Sequence, residues 1–267
     1  MPVDHYENFP VASLLLPPAL RRPVEVIYRF ARSADDFADE GEDPPPVRLA
    51  KLGAYREKLA RVARGSDPGD ALFRDVARVV AEHRLPLSLL EDLLDAFSQD
   101  VVKSRYADFG EVLDYCSRSA NPVGRLLLHL FKRTSETQLR QSDAVCTALQ
   151  LANFWQDVEI DWAKDRVYLP QDELRRFGVG EDHIAARRCD DAWRALMRHQ
   201  CDRTRRLMIE GAPLSGSLEG RARWEIAITV QGGLRILEKL ATAGYDMFRQ
   251  RPKLKWFDWP LLAWRAL

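Results

Sequence analysis

The chain has few cysteines and none that cluster. Cys116, Cys146, Cys189 and Cys201 stand far apart with no CxxC spacing. That argues against a structural zinc site or a disulfide framework and fits a reducing cytoplasm. There is no net charge either: 40 Lys plus Arg balance 40 Asp plus Glu. No long-range field draws in nucleic acid, and no basic run marks a DNA or RNA groove. No apolar run approaches the length of a membrane span. The first residues, MPVDHYENF, lack a basic n-region and an apolar h-region, so no signal peptide is expected. Alternating strand patterns are few, and no internal repeat is visible.

What is present is helical periodicity. The chain has 267 residues, 46% apolar and 30% charged, enough to bury a sizeable core. After an irregular arm to residue 17, the spacing predicts helices over 19–40, 47–64, 70–82 and 87–103, with Asp70 as a cap. The stretch 109–131 reads as one helix interrupted at Asn121-Pro122, either kinked or broken into two. Further helices are predicted over 136–161, 170–177, 190–211 and 221–243. The fold class is all-α: one domain of packed helices, residues 1–267. The tail, WFDWPLLAWRAL, is rich in Trp and Leu. It reads as a terminal segment packed on the core, with shallow contact at a membrane surface as the sharper alternative.

The stretch from Gln150 to Pro170, QLANFWQDVEIDWAKDRVYLP, carries the most chemistry. Gln150, Asn153, Asp157 and Asp161 step by three, four and four, so in a helix they share one face. Leu151, Trp155, Val158 and Trp162 form an apolar stripe beside them. Tyr28, Arg32, Asp35 and Asp39 repeat the polar pattern on the first helix. If both polar stripes face inward, four carboxylates meet, at a cost that only a counter-charge offsets. Neither stripe holds His or Cys, so the cation that fits is Mg²⁺, which takes carboxylate, water and phosphate oxygens. Arg32, Lys164 and Arg166 lie beside the acids and suit the remaining phosphate oxygens. A diphosphate bound through Mg²⁺ at the mouth of an apolar helical cavity is the natural reading.

These residues also carry a resemblance. Asn153-xxx-Asp157-xxx-Asp161 followed by Arg166-Val-Tyr168-Leu-Pro170 resembles the second acidic motif of the squalene and phytoene synthase family. Ala31-Arg32-xx-Asp35-Asp36-xx-Asp39 resembles the first. The segments HYENFPVAS, SANPVGRLLL, LQLANFWQDVEIDWAKDRVYLP and VQGGLRILEKLATAGYDMFRQRP are most similar to the bacterial hydroxysqualene synthases of the hopanoid pathway. The resemblance implies an α-helical isoprenoid-synthase fold around a central cavity and a Mg²⁺-dependent prenyl-diphosphate lyase. Presqualene diphosphate and water would give hydroxysqualene and diphosphate. Asp35, Asp39, Asp157 and Asp161 would hold metal, with Tyr28 in the same register. Arg32, Gln150, Asn153, Lys164, Arg166 and Tyr168 would bind the diphosphate end, and the rings of Phe9 and Tyr115 would face the carbocation. Peripheral contact with the inner face of the membrane and neighbouring enzymes of the same pathway are the partners this implies.

Three other readings stay open, the first two sharing the motifs. One is head-to-head condensation of two prenyl diphosphates to presqualene or phytoene diphosphate, and another is reductive squalene synthesis with NADPH. The third is a catalytically silent helical scaffold. Single residues carry smaller expectations. Asp36 turns off the stripe, and Asp165 reads as a loop residue that holds Arg166. Tyr106 reads as a surface loop residue. Arg249 and Arg251 both stand where the family places a diphosphate-contacting Arg. Gln231-Gly232-Gly233 reads as close helix packing.

Overall fold

The computed structural model describes residues 17–267. Proline sets the first two helices. Helix α1 (Pro18–Asp39) starts on Pro17-Pro18 and α2 (Pro45–Ala63) on the Pro44-Pro45-Pro46 run. In each a proline occupies the first turn, where its missing N–H leaves no hydrogen bond unmade. Helix α3 (Ala71–His83) is capped by Asp70, whose carboxylate accepts from the N–H groups of Leu72 and Phe73 at 2.9 and 3.3 Å. Helix α4 (Ser88–Val102) follows.

The stretch containing Asn121-Pro122 is broken rather than kinked. Helix α5 (Phe109–Ser119) ends, and α6 (Asn121–Leu130) begins with Pro122 in its first turn. Helix α7 (Glu136–Ala163) is the longest, started by a capping box between Ser135 and Gln138. After it come α8 (Gln171–Arg176), α9 (Glu181–Ala185), α10 (Asp191–Gly211), α11 (Gly220–Thr242) and α12 (Trp259–Arg265). Short 3₁₀ turns at Ala212–Ser217 and Trp256–Asp258 lead into the last two. Among the described residues there is no strand, only a single bridge between Arg105 and Val167. No described helix is long and apolar enough to cross a membrane.

Helix α7 is the hub, packing against α5, α6, α10 and α11. Its apolar stripe does what the spacing predicts: Leu151 and Trp155 are fully buried and Val158 nearly so. Each such side chain stabilises the fold by about 1.5–3 kcal/mol. The Trp155 indole N–H donates to Thr204 on α10 at 2.8 Å, so this burial leaves no orphaned donor. Two glycines let helices touch. A Cβ on Gly233 would lie 2.4 Å from Met208 Cε, which confirms the packing role expected of Gln231-Gly232-Gly233. A Cβ on Gly124 would lie 2.4 Å from Ser142 Oγ, bringing α6 against α7.

The exit from α7 positions the site. Asp165 takes a left-handed conformation (φ 57°), and the N–H of Arg166 reaches back to the Asp161 carbonyl at 2.8 Å. This Schellman-type stop reverses the chain. The reversed segment then lies along residues 104–107: Val167 N–H donates to Ser104 O and Gln171 N–H to Tyr106 O, each at 2.9 Å. Tyr106 is therefore core, 1% exposed, not the surface loop residue its polar neighbours suggested.

Candidate active site

The polar stripe of α7 is neither in the core nor in open solvent. Gln150, Asn153, Asp157 and Asp161 are all half-buried, beside the buried apolar stripe. The two acidic helices meet at their C-terminal ends. Asp39 of α1 is gripped from the α7 exit by Lys164 Nζ at 3.0 Å and Arg166 Nη1 at 2.6 Å. Asp157 is gripped by Arg251, whose Nη2 donates to Oδ2 at 3.0 Å. The structure thereby separates two residues the sequence left equivalent: Arg251 faces the acids, while Arg249 points outward beside Asp246. Arg32 stays on its own helix, within 3.2 Å of Asp35, 2.8 Å of Asp36 and 2.6 Å of Glu40.

Burial and mutual repulsion show in the carboxyl groups. Burial, with Asp39 beside it, pushes Asp35 up to about 6. Burial, with Asp157 one turn away, pushes Asp161 up to about 8. Burial also acts on Asp39, but Arg166 and Lys164 outweigh it and hold its carboxyl below the usual range. Two of the four acids thus hold their protons more tightly than usual, because the protein's own cations do not fully offset their charged forms.

Asp100 joins the site without having been evident from the sequence. It lies at the end of α4, where burial pushes its carboxyl up to about 7. It accepts from the Tyr115 hydroxyl at 2.7 Å, and the Tyr168 hydroxyl stands 3.5 Å away. Arg166 Nη2 donates to its backbone carbonyl at 3.2 Å. One signal was available: Asp100 continues the apolar register Leu93, Phe97, where an acid is out of place.

This arrangement corrects three expectations. Tyr115, expected to face the carbocation, and Tyr168, expected at the diphosphate end, are both buried, 4% and 8% exposed. They form an aromatic cluster with Tyr106 and Phe154, in which Tyr168 stacks on Phe154 with centroids 3.7 Å apart. Asp165 holds Arg105, not Arg166: its Oδ1 accepts from Arg105 Nη2 at 2.9 Å. Phe9 lies outside the described residues, as does its proposed role.

An apolar cavity of about 390 Å³ opens beneath the acids. Helix α1 contributes Tyr28, Arg32 and Asp35 at its polar end and Val24 and Ile27 deeper in. Helix α7 contributes Leu149, Cys146, Val145 and Ser142. Gln150, Asn153, Asp157 and Asp161 continue that face beyond Leu149. The helix break at Asn121-Pro122 serves both packing and cavity, because Gly124 touches α7 and also lines the space.

The donor set suits a hard cation: it is all oxygen, and two of its acids are undercompensated. Among the described residues no three Asp, Glu, His or Cys groups converge into a ready cage.

Comparison with known proteins agrees with the geometry. The chain is 33% identical to the hydroxysqualene synthase of Rhodopseudomonas palustris over 98% of its own length and 88% of that protein's. It is 33% identical to that of Sinorhizobium fredii over 93% of its length and 83% of the relative's. It superposes on the crystal structure of squalene synthase HpnC from Alicyclobacillus acidocaldarius with a TM-score of 0.83, at 37% identity, covering 91% of each chain. The chain thus shares the all-α fold of that enzyme. A family model for squalene/phytoene synthase matches residues 3–258, and the chain belongs to that family.

Proposed function

We propose that the chain is a hydroxysqualene synthase, converting presqualene diphosphate and water to hydroxysqualene and diphosphate. The observation that carries the reading is the junction of Asp39 with Lys164 and Arg166, which joins both acidic motifs at the polar end of an apolar cavity. The relatives named hydroxysqualene synthase are 33% identical to the chain, against 28–29% for relatives named phytoene synthase that align over a similar share, which favours this member of the family over a condensing one.

Asp35, Asp39, Asp157 and Asp161 would hold Mg²⁺, which supplies Lewis-acid stabilisation of the departing diphosphate. Lys164, Arg166 and Arg251 each pair with one of these acids and would turn their charge to the diphosphate oxygens as negative charge builds there. Arg32 offers a further guanidinium at the cavity wall. Once the carbon–oxygen bond breaks, the cation rearranges in an apolar enclosure that keeps out bulk water. Along α7, Asp157 to Ser142 spans about 22 Å at 1.5 Å per residue, room for long prenyl arms. One water adds to the cation and loses a proton to give the alcohol. Tyr28, Gln150 and Asn153 are the polar groups placed between acids and cavity, where that water would be held. Substrate and product both carry long apolar chains, so the enzyme would work at the inner face of the membrane and beside the pathway enzymes that make one and consume the other.

The test is direct. Purified protein with Mg²⁺ receives presqualene diphosphate or farnesyl diphosphate, with and without NADPH, and the product is identified by mass spectrometry. Hydroxysqualene from presqualene diphosphate alone supports the reading. Presqualene diphosphate made from farnesyl diphosphate would show a condensing enzyme instead, and no turnover with no binding of Mg²⁺–diphosphate would show a scaffold.

A further inference from the structure

The C-terminal segment from Arg251 to Leu267 is firmly held, yet it turns its aromatic side chains outward. The anchors are specific. Pro252 O accepts from Gln156 of α7 at 2.6 Å. Asp258 is 1% exposed. It accepts from the Lys255 N–H at 2.7 Å and from Arg235 Nε at 2.9 Å, and it also pairs with Lys239. Leu262 is fully buried and fixes α12 on α11. These contacts exclude a loose tail.

The exposed set is equally specific. Trp256 is 82% exposed, Phe257 51%, Trp259 42%, Trp264 70% and Leu267 81%. At 100° per residue, the face of α12 opposite Leu262 carries Pro260 and Trp264, while Trp259 lies about 60° from Leu262 at the start of the helix. Exposed aromatics in such density on an anchored element mark an interaction surface. The charge of this segment is predominantly basic, with Arg249 paired to Asp246, Arg251 to Asp157 and Arg265 to Glu238 from outside it. From Met247 to Leu267 the chain has Arg249, Arg251, Lys253, Lys255 and Arg265, and its one acid, Asp258, is buried and paired. Lys255 lies over the Phe257 ring at 5.9 Å, so charge and apolar surface are interleaved.

We infer that this C-terminal hook docks the enzyme on an anionic lipid surface, with Trp256, Phe257, Trp259 and Trp264 seated at the level of the headgroups and the basic side chains on the phosphates. Indoles favour that boundary because one edge is apolar and the N–H needs a wet partner. A basic rim without exposed acids suits anionic lipid, whereas a second copy of the chain would set like charges against each other. The hook also lies close to the chemistry. Arg251 grips Asp157. Trp256 follows five residues later, within about 18 Å even if the strap were fully extended. A lipid surface touching the hook therefore lies next to the polar end of the cavity. The inference stands on the surface itself and holds whichever prenyl diphosphate is the substrate.

The experiment uses the full chain and sedimentation with vesicles of phosphatidylcholine, alone or mixed with phosphatidylglycerol. The wild type is expected to bind the mixed vesicles, less so as salt rises. Trp256→Ala with Trp264→Ala should weaken partition about tenfold or more. Arg249→Glu with Lys255→Glu should abolish the preference for phosphatidylglycerol. All four residues are exposed, so circular dichroism should be unchanged in both variants, and diphosphate release from detergent-dispersed substrate should match wild type. Wild type that fails to bind either vesicle, or a tryptophan variant that binds as well as wild type, overturns the inference. So does a wild-type dimer in analytical ultracentrifugation that the tryptophan variant turns into monomer, because the face would then be covered by a second copy.

Discussion

Asp39 at the end of α1 takes both of its cations from the loop that leaves α7: Arg166 at 2.6 Å and Lys164 at 3.0 Å. Arg166 also donates to the Asp100 carbonyl, so one guanidinium ties α1, α4 and the α7 exit together. Arg166→Ala should therefore act twice. Loss of a charge-stabilising donor should cut kcat/KM by roughly 10²–10³. Leaving Asp39 half-buried with Lys164 alone should lower stability by about 1–3 kcal/mol. Arg166→Lys keeps the charge but not the fork, so it should recover the stability in part and the rate hardly at all. Diphosphate release and a denaturant melt on the same samples separate the two effects.

Asp157 gives a cleaner separation of chemistry from folding. It sits on the half-buried polar stripe, and its partner Arg251 comes from a distant part of the chain. Asp157→Asn keeps the shape and removes the charge. Turnover should fall to background while the helical circular dichroism stays that of wild type. Near-normal activity in this variant would remove Asp157 from the metal-binding set.

Much of this was legible in local sequence, and the exceptions share a cause. The two stripes of α7 follow from residue spacing alone, because a 3.6-residue period fixes which side chains share a face. The break at Asn121-Pro122 and the Asp70 cap are likewise local. Asp100 was not legible as a site residue, and Arg251 only as one of a pair with Arg249, since each is defined by a partner more than fifty residues away or by a loop laid across it. Arg251 and Arg249 have the same neighbours in sequence, and only the strap pinned by Gln156 and Pro252 decides which one turns inward. The surroundings of Tyr168 were not legible for the same reason: its position after Arg166 suggests the diphosphate end, and the Schellman turn at Asp165 is what brings its ring onto Phe154.

The raised carboxyl groups set a pH dependence. An aspartate in the unfolded chain titrates near 3.9, whereas the folded values are about 6 for Asp35, about 7 for Asp100 and about 8 for Asp161. The folded state thus binds more protons than the unfolded one from about pH 4 up to each folded value, so stability falls as pH rises from about 4 and the fall levels off above about 8. Without metal, the melting temperature should fall across that window. Asp161→Asn should flatten the upper part of the fall and stabilise the metal-free protein at high pH by on the order of 1–3 kcal/mol. Mg²⁺ with diphosphate should protect wild type most at the alkaline end, where the acids are charged, and protect the variant less. Thermal melts in matched buffers, with and without Mg²⁺–diphosphate, measure all three.

The cavity makes a different demand from the acids, and a variant at its deep end tells them apart. Ile226 on α11 lines the space, half-buried, on the N-terminal half of its helix and away from the Arg251 strap. Ile226→Trp should send an indole into the 390 Å³ void. Filling empty space restores dispersion contacts, so the melting temperature should hold or rise. If the indole instead found no room, overpacking would cost about 1–3 kcal/mol and the melt would reveal it. With the fold intact, product formation from a long-chain prenyl diphosphate should drop by on the order of 10², because its arms no longer fit, a loss of binding energy that the headgroup cannot replace. Binding of inorganic diphosphate with Mg²⁺, followed by calorimetry, should be unchanged, since Asp35, Asp39, Asp157 and Asp161 are untouched. Full turnover in a stably folded Ile226→Trp protein would mean that the prenyl chains lie elsewhere.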